Sequence, residues 1–408
     1  MRIRALLRSI WRSRTGPLLV CFQVAIALVV LVNVAYVVTF RMTTTGRDTG
    51  IDLDNITWIR TEGYGTDYDH PRTVEVDLRY LKSMPDVISA SVVSALPQTF
   101  TGARSEVSTQ PAGAGTKALS IVYQGSAELA DTLGLQMVAG RRPQTLAVVE
   151  AQSDQGSAPA NLGEIVITRA LARSLFDNEE PIGKSLYMGN ERRFAVIVGV
   201  VEYMQAAPFF GPGSQFVENV VLSTGTPPGP VALYMVRTRP GRRDAVEAEI
   251  ESRFEATQSQ RYVDQIESLS KTAEAARAAP RASALFSAIV AVLVAAVTAL
   301  GLFGLAAYNV TTRTQQIGTR RALGARKADI VRAFLQESWL IVTSGILIGT
   351  LLTLALAIPL TGLLRMARLP LIYLGLGVLA MWLIGITAVV VPARRAASVP
   401  PAVATRGI

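Results

Sequence analysis

Long apolar runs and a region of short mixed patterns divide the chain. Four runs have the roughly 20 apolar residues that a helix needs to cross a hydrocarbon core. They are residues 18–40, interrupted by Gln23 and Asn33; 284–308, without a charge; 339–364, containing Pro359; and 369–391. Buried helices of soluble proteins are rarely so long and uncharged, so the runs predict four transmembrane helices. The first exceeds the roughly 7–15-residue apolar core of a signal peptide, and no small-x-small cleavage site follows Phe40, so it reads as a retained span.

Residues 41–280 carry period-2 and helical patterns instead. Strands are predicted at 55–62, 87–96, 231–238 and 260–265, and helices at 74–84, ended by Pro85, and at 241–256. Each end of this segment therefore reads as β-α-β. The middle, about 101–230, is richer in Gly, Pro and Ser, with strands at 117–125, 164–168 and 194–203. The predicted fold is an α-helical membrane protein with four transmembrane helices plus a large α+β domain. That domain has βαβ-type halves at about 50–100 and 230–265, with a mixed subdomain inserted between them.

Composition agrees with a membrane protein. Of 408 residues, 50% are hydrophobic and 17% charged, against about 25% charged in ordinary soluble domains. Mean hydropathy is +0.33. The net charge of +9 would suggest a nucleic-acid partner, but its distribution excludes that reading. Residues 41–280 hold 23 basic and 29 acidic residues, while the remainder holds 17 basic and only 2 acidic. The positive charge lies beside the spans, where it orients them and attracts anionic lipid headgroups.

Arg2, Arg4, Arg8, Arg12 and Arg14 precede the first span. Arg313, Arg320, Arg321, Arg326, Lys327 and Arg332 lie between the second and third, and Arg394, Arg395 and Arg406 follow the fourth. With four spans all three groups share one side, so both termini are expected in the cytoplasm. Residues 41–280 and the short connection at 365–368 are then expected outside.

The chain offers little for catalysis. Its one cysteine, Cys21, excludes an intrachain disulfide, and with the one histidine, His70, it leaves no Cys/His metal site. His70 lies in Tyr68-Asp69-His70-Pro71, which reads as an exposed turn. Pro181-Ile182-Gly183-Lys184-Ser185 ends like a phosphate-binding loop, but Asn178 stands where that loop needs its first glycine. A turn before a strand is the expectation there.

Residues 309–338 are the most specific part of the chain. They read as a short basic helix between small-residue breaks, with Gly318 and Gly324 bracketing Thr319-Arg320-Arg321-Ala322-Leu323, and Asp329 in the first turn of the helix that follows. The segment Gln316-Ile317-Gly318-Thr319-Arg320-Arg321-Ala322-Leu323-Gly324-Ala325 resembles the loop motif of the MacB/FtsX-type family of ABC transporter permeases. That motif runs glutamate, isoleucine, glycine, any residue, two basic residues, alanine, leucine or isoleucine, glycine, alanine or serine. The resemblance extends to Pro392-Ala393-Arg394-Arg395-Ala396-Ala397 with Pro401, Ala404 and Arg406 in the tail. In the outer segment it extends to residues 172–176, Pro181-Ile182-Gly183-Lys184 and Val198-Gly199-Val200-Val201. Gln316 departs from the family's glutamate, and Pro400 and Val403 from its acidic tail residues.

The resemblance implies a permease subunit of the bacterial inner membrane, not an enzyme itself, with residues 41–280 as its periplasmic domain. About 17 residues precede the first span, so a separate ABC ATPase subunit is expected to bind ATP and Mg and to supply the hydrolysis. A second permease is the expected partner in the bilayer, and a periplasmic adaptor with an outer-membrane duct beyond it. The loop helix would couple to the ATPase through Gly318, Arg320, Arg321, Ala322, Leu323 and Gly324, and ATP-driven motion would reach the periplasmic domain by mechanotransmission. Export of a periplasmic substrate, control of a cell-wall hydrolase and release of lipoproteins are the three roles such a family admits. Gly345-x-x-x-Gly349, Gly301, Gly304 and Ala307 would serve close helix packing, within the chain or across a dimer, and Gln23 and Asn33 interhelical hydrogen bonds.

Overall fold

The fold was examined in a computed structural model. The structure describes residues 15–45, 47–99, 101–111, 115–144, 160–177, 179–188, 193–208, 214–256, 260–363 and 370–398. The amino-terminal arginines, Asn178, the 365–368 connection and the tail residues Pro400, Pro401, Val403, Ala404 and Arg406 lie outside these. The chain forms two compact units. One comprises residues 43–210 and 214–281; the other holds residues up to 42 and from 282 onward. The first helix, α1, is Thr15–Thr45.

The α/β unit has two lobes. The first is built from β1 (Ile56–Gly63), α2 (His70–Ser83) and β2 (Val87–Val93), then β10 (Val231–Thr238), α5 (Arg243–Ala256) and β11 (Arg261–Ser268). Its strands run in the order β11-β1-β10-β2 with every neighbour antiparallel, the ferredoxin-like arrangement of two β-α-β halves. Ile59, Val74, Leu81, Val92, Tyr234, Ile250 and Phe254 pack its core. Helix α2 begins four residues before the expected start. Asp69 caps it by accepting from the Arg72 N–H at 3.1 Å, and Pro71 fits the first turn, where no N–H is needed. His70 is thereby drawn into the helix. It is 8% exposed, with Nε2 2.9 Å from the Pro227 carbonyl, so the expected exposed turn is corrected to a buried helical position.

A polar cluster lies inside this apolar core. Arg261 donates through Nη2 to Asp77 Oδ1 at 2.8 Å, and the Tyr234 hydroxyl donates to Asp77 Oδ2 at 2.8 Å. The Arg261 and Asp77 side chains are 1% and 7% exposed. The guanidinium lies 4.1 Å from the Phe254 ring centroid. Burial raises the Asp77 carboxyl above the usual carboxylate range, with Arg261 opposing it, and burial beside Asp77 drives the Tyr234 phenol upward.

The inserted lobe contains β3 (Ala103–Ser108), β4 (Lys117–Gly125), α3 (Leu129–Thr132), β5 (Met137–Gly140), β6 (Ala160–Thr168), α4 (Arg169–Phe176), β7 (Ser185–Met188), β8 (Arg193–Val201) and β9 (Val220–Thr224). It is mixed: β4–β9 and β6–β8 are parallel, while β3–β4, β6–β9 and β7–β8 are antiparallel. Ile165, Ile167, Leu171, Leu186, Ile197 and Val221 form its separate core. Strands β3, β5, β7 and β9 have no counterpart in the sequence expectation; each has at most six residues, too few for a period to register. Residues 181–184 form the expected turn, with Gly183 at φ +81° and β7 starting at Ser185. Lys184 is engaged there by Glu179 at 2.6 Å.

The other unit is helical. Helix α6 runs from Leu269 to Thr312 through Pro280, starting well before the apolar run that predicted it. After the short α7 (Thr314–Ala322) come α8 (Lys327–Leu363) and α9 (Leu371–Ala397). Among the described residues, α1, α6, α8 and α9 are long and apolar enough to cross a membrane. Val20, Val24, Leu28 and Val32 of α1 share one core with Leu302, Val342, Ile346 and Met381. Gly345 and Gly349 serve contacts inside the chain: a Cβ on Gly345 would lie 2.7 Å from Val24, and one on Gly349 would lie 2.8 Å from the Ala25 carbonyl. Gln23 donates across helices to the Val297 carbonyl at 2.9 Å, as expected. Asn33 does not; it donates to Val29 one turn back on its own helix at 2.8 Å, because a short amide reaches its own i−4 carbonyl more readily than a neighbouring helix.

Candidate functional site

The most specific motif folds as a short capped helix between two long ones. At Arg313 the helical ladder passes from α6 to α7 almost without a break: Arg313 donates its N–H to the Asn309 carbonyl, and its own carbonyl accepts from Ile317 at 3.0 Å. The far end closes at Gly324, which has φ +96°. There Ala325 N–H donates to Arg320 and Gly324 N–H to Arg321, both at 3.1 Å. This bond pair with a left-handed glycine is a Schellman cap, and a side chain at that position would be strained. Helix α8 then starts with Asp329 in its first turn, as expected, where Asp329 Oδ2 also accepts from the Arg326 N–H at 3.0 Å.

The two faces of α7 differ. Ile317 and Gly318 are buried, and Ile317 packs with Ile330 and Phe334 of α8 and Val389, Ala393 and Ala396 of α9. Gly318 is therefore not a helix break, as the sequence suggested, but an inward-facing position inside the helix. Arg320, Ala322, Leu323 and Gly324 are exposed, and Arg321 is half-buried. Leu323 is 84% exposed, although burying a leucine fully is worth about 1.5–3 kcal/mol. The tail motif joins the same cluster: Pro392, Ala393, Ala396 and Ala397 are buried in α9, while Arg394 and Arg395 face outward. Two motifs distant in sequence thus share one buried core.

Sequence reasoning missed the ion pair at the base of α7. Arg313 Nη1 and Nη2 donate to Glu337 Oε2 and Oε1 at 2.8 and 3.2 Å. The Arg313 and Glu337 side chains are 28% and 9% exposed. The available signal was that residues outside 41–280 contain just two acids, Asp329 and Glu337, so each was due a specific partner. Among the described residues no group of three or more His, Cys, Asp or Glu side chains is placed to hold a metal ion.

Comparison with known proteins follows the same division. The description "MacB-like periplasmic core domain" matches residues 23–253, and "FtsX-like permease C-terminal" matches residues 288–401. The chain is 37% identical over 108 residues to the macrolide export ATP-binding/permease protein MacB of Bordetella avium. It is 26% identical over 241 residues to that of Marinobacter nauticus. These segments make up 26% and 58% of this chain, but only 16% and 37% of the two relatives. Among solved structures, it is similar to the periplasmic region of MacB from Actinobacillus actinomycetemcomitans, at TM-score 0.30 and 15% identity, over 55% of this chain and 94% of that one. It is also similar to the extracellular domain of the ABC-type transporter YknZ from Gram-positive bacteria, at TM-score 0.29 and 13% identity, over 51% and 100%.

Proposed function

We propose, from the premise that this chain belongs to the MacB-like family of FtsX-type permeases, that α7 is the coupling helix onto which a separate ABC ATPase docks. The observation that carries the reading is Leu323, 84% exposed at the tip of a helix whose opposite face is packed. An apolar knob held outward by a Schellman cap suits a groove on a partner. Arg320 beside it, with Arg321 behind, would meet acidic groups there through charge-assisted bonds. ATP and Mg belong to that partner, and this chain supplies no catalytic residue. Two permeases pair in the bacterial inner membrane with both termini in the cytoplasm. Closure of the ATPases moves α7, and α1 and α6 pass the motion by mechanotransmission into the outer domain. The curated relatives are named for macrolide export, and export of a periplasmic substrate is the role we assign, with a periplasmic adaptor and outer-membrane duct as further partners.

The test is affinity purification of the tagged full chain from its own host, with identification of co-purifying proteins. An ABC ATPase should be retained by the wild type. It should be lost at least tenfold in Leu323→Asp, while the amount of permease in the membrane is unchanged. Arg321→Glu should weaken retention in the same direction. Retention of the ATPase by both variants would refute the docking reading, and co-purification of a cell-wall hydrolase in place of an adaptor would refute the export role.

A further inference from the structure

We infer that Arg313 and Glu337 form the latch through which α7 transmits force to α6 and α8. The inference rests on the coupling-helix reading and adds to it the residues that make the lever stiff. A lever transmits force only if its base resists bending. The base of α7 is the Arg313 junction, which holds non-helical backbone at φ −108° and ψ 13° and has no side-chain cap of its own. The hydrogen-bond ladder continues through the joint, but its dihedrals leave the helical region there, so this is where α7 would bend first. Two contacts oppose bending there. One is Ile317, a single turn further along, seated against Ile330 and Phe334. The other is the two-point bond from Arg313 to Glu337.

A single ionic contact would leave the guanidinium free to pivot. Two parallel N–H···O bonds fix its plane, and so fix the rotation of the junction relative to α8. The placement of charge supports a dedicated role. Outside residues 41–280 the chain has 17 basic residues and two acids. Asp329 is used as the α8 cap, and Glu337, 9% exposed, is given to Arg313. A buried ion pair contributes little net stability over an apolar pair of the same volume, because desolvation offsets its attraction. It does impose a defined geometry. In a bundle whose cores are otherwise apolar, such a pair specifies one arrangement of the joint. Arg313 and Glu337 are thus positioning residues: they act through α7 and need not touch the ATPase.

The experiment uses the full chain with its co-purified ATPase in lipid nanodiscs. It reads three quantities: ATPase retained, ATP hydrolysed, and the change in amide hydrogen exchange across residues 47–99 when ATP is trapped. Glu337→Gln preserves shape and removes the charge. It should retain the ATPase and keep hydrolysis within twofold of wild type, yet lose at least tenfold of the ATP-dependent exchange change. Arg313→Lys keeps the charge but not the two-point bond, and should fall between the two. A pair that merely stabilises the fold would move all three readings together with the amount of folded protein. Loss of the ATPase from Glu337→Gln would overturn the latch, as would an undiminished exchange change. Failure of the coupling reading itself is separable: it would show as ATPase retained by Leu323→Asp, or as no ATP-dependent change in the wild type.

Discussion

Removing the Asp77 side chain should destabilise the outer domain more than a surface change of the same size. Asp77→Ala leaves the Arg261 guanidinium, 1% exposed, without its counter-charge, and the Tyr234 hydroxyl without its acceptor. Breaking a buried pair by deleting one partner costs about 3–5 kcal/mol. The lost hydroxyl acceptor falls within that figure, since neighbouring terms do not add. The apolar replacement Asp77→Leu with Arg261→Met and Tyr234→Phe removes every charged member and should cost about 1 kcal/mol or less, or stabilise. Urea unfolding of the detergent-solubilised full chain measures both. Trp58 reports on this lobe, because it sits in β1 with Nε1 bonded to Thr272 at 2.7 Å.

The pH dependence has a definite sign. A carboxyl raised in the folded state binds its proton more readily there than when unfolded. Its contribution therefore falls as pH rises from the ordinary carboxylate value through the raised folded value. Asp77→Asn should remove that slope. A loss below about 1 kcal/mol for Asp77→Ala, or a triple variant as unstable as the single, would refute this account of the core.

Three further outcomes are expected. Gly345→Val should lower the thermal midpoint of the purified chain by several degrees, because its Cβ would meet Val24 at 2.7 Å, whereas Gly304→Val, with nothing within 4 Å, should leave it unchanged; equal midpoints would contradict the packing described. Gly324→Ala should destabilise the α7 cap by about 1 kcal/mol, read as faster exchange of the amides at position 324 and Ala325. In a Cys21→Ser background, a cysteine at Thr66 should react with an impermeant maleimide from outside whole spheroplasts and one at Lys327 only after lysis; the reverse would invert the orientation.

The spans were legible because the bilayer imposes a length and a composition that few other environments tolerate, and both can be read from a linear string. Longer strands in both lobes were legible for a related reason: β10 of the first lobe and β4 of the inserted lobe end where their alternation ends. Period detection failed where the elements were short, as in β5 and β7 with four residues each. Local chemistry misled at His70, where the same residues that suggest a turn also cap a helix. It misled again at Gly318, whose role depends on which neighbour approaches it.

The loop motif could be picked out from residue types, and the resemblance it carries identified the family. Which of its residues face a partner could not, because facing is a property of the packed bundle. Ile317 turns inward only because α8 and α9 supply Ile330, Phe334 and Ala393 to receive it, which leaves Leu323 and Arg320 outward. The pairing of Arg313 with Glu337 and of Asp77 with Arg261 belongs to the same class. Each joins positions far apart in the chain, and a buried charge selects its partner by proximity in a medium without water, a condition that exists only once the core has formed.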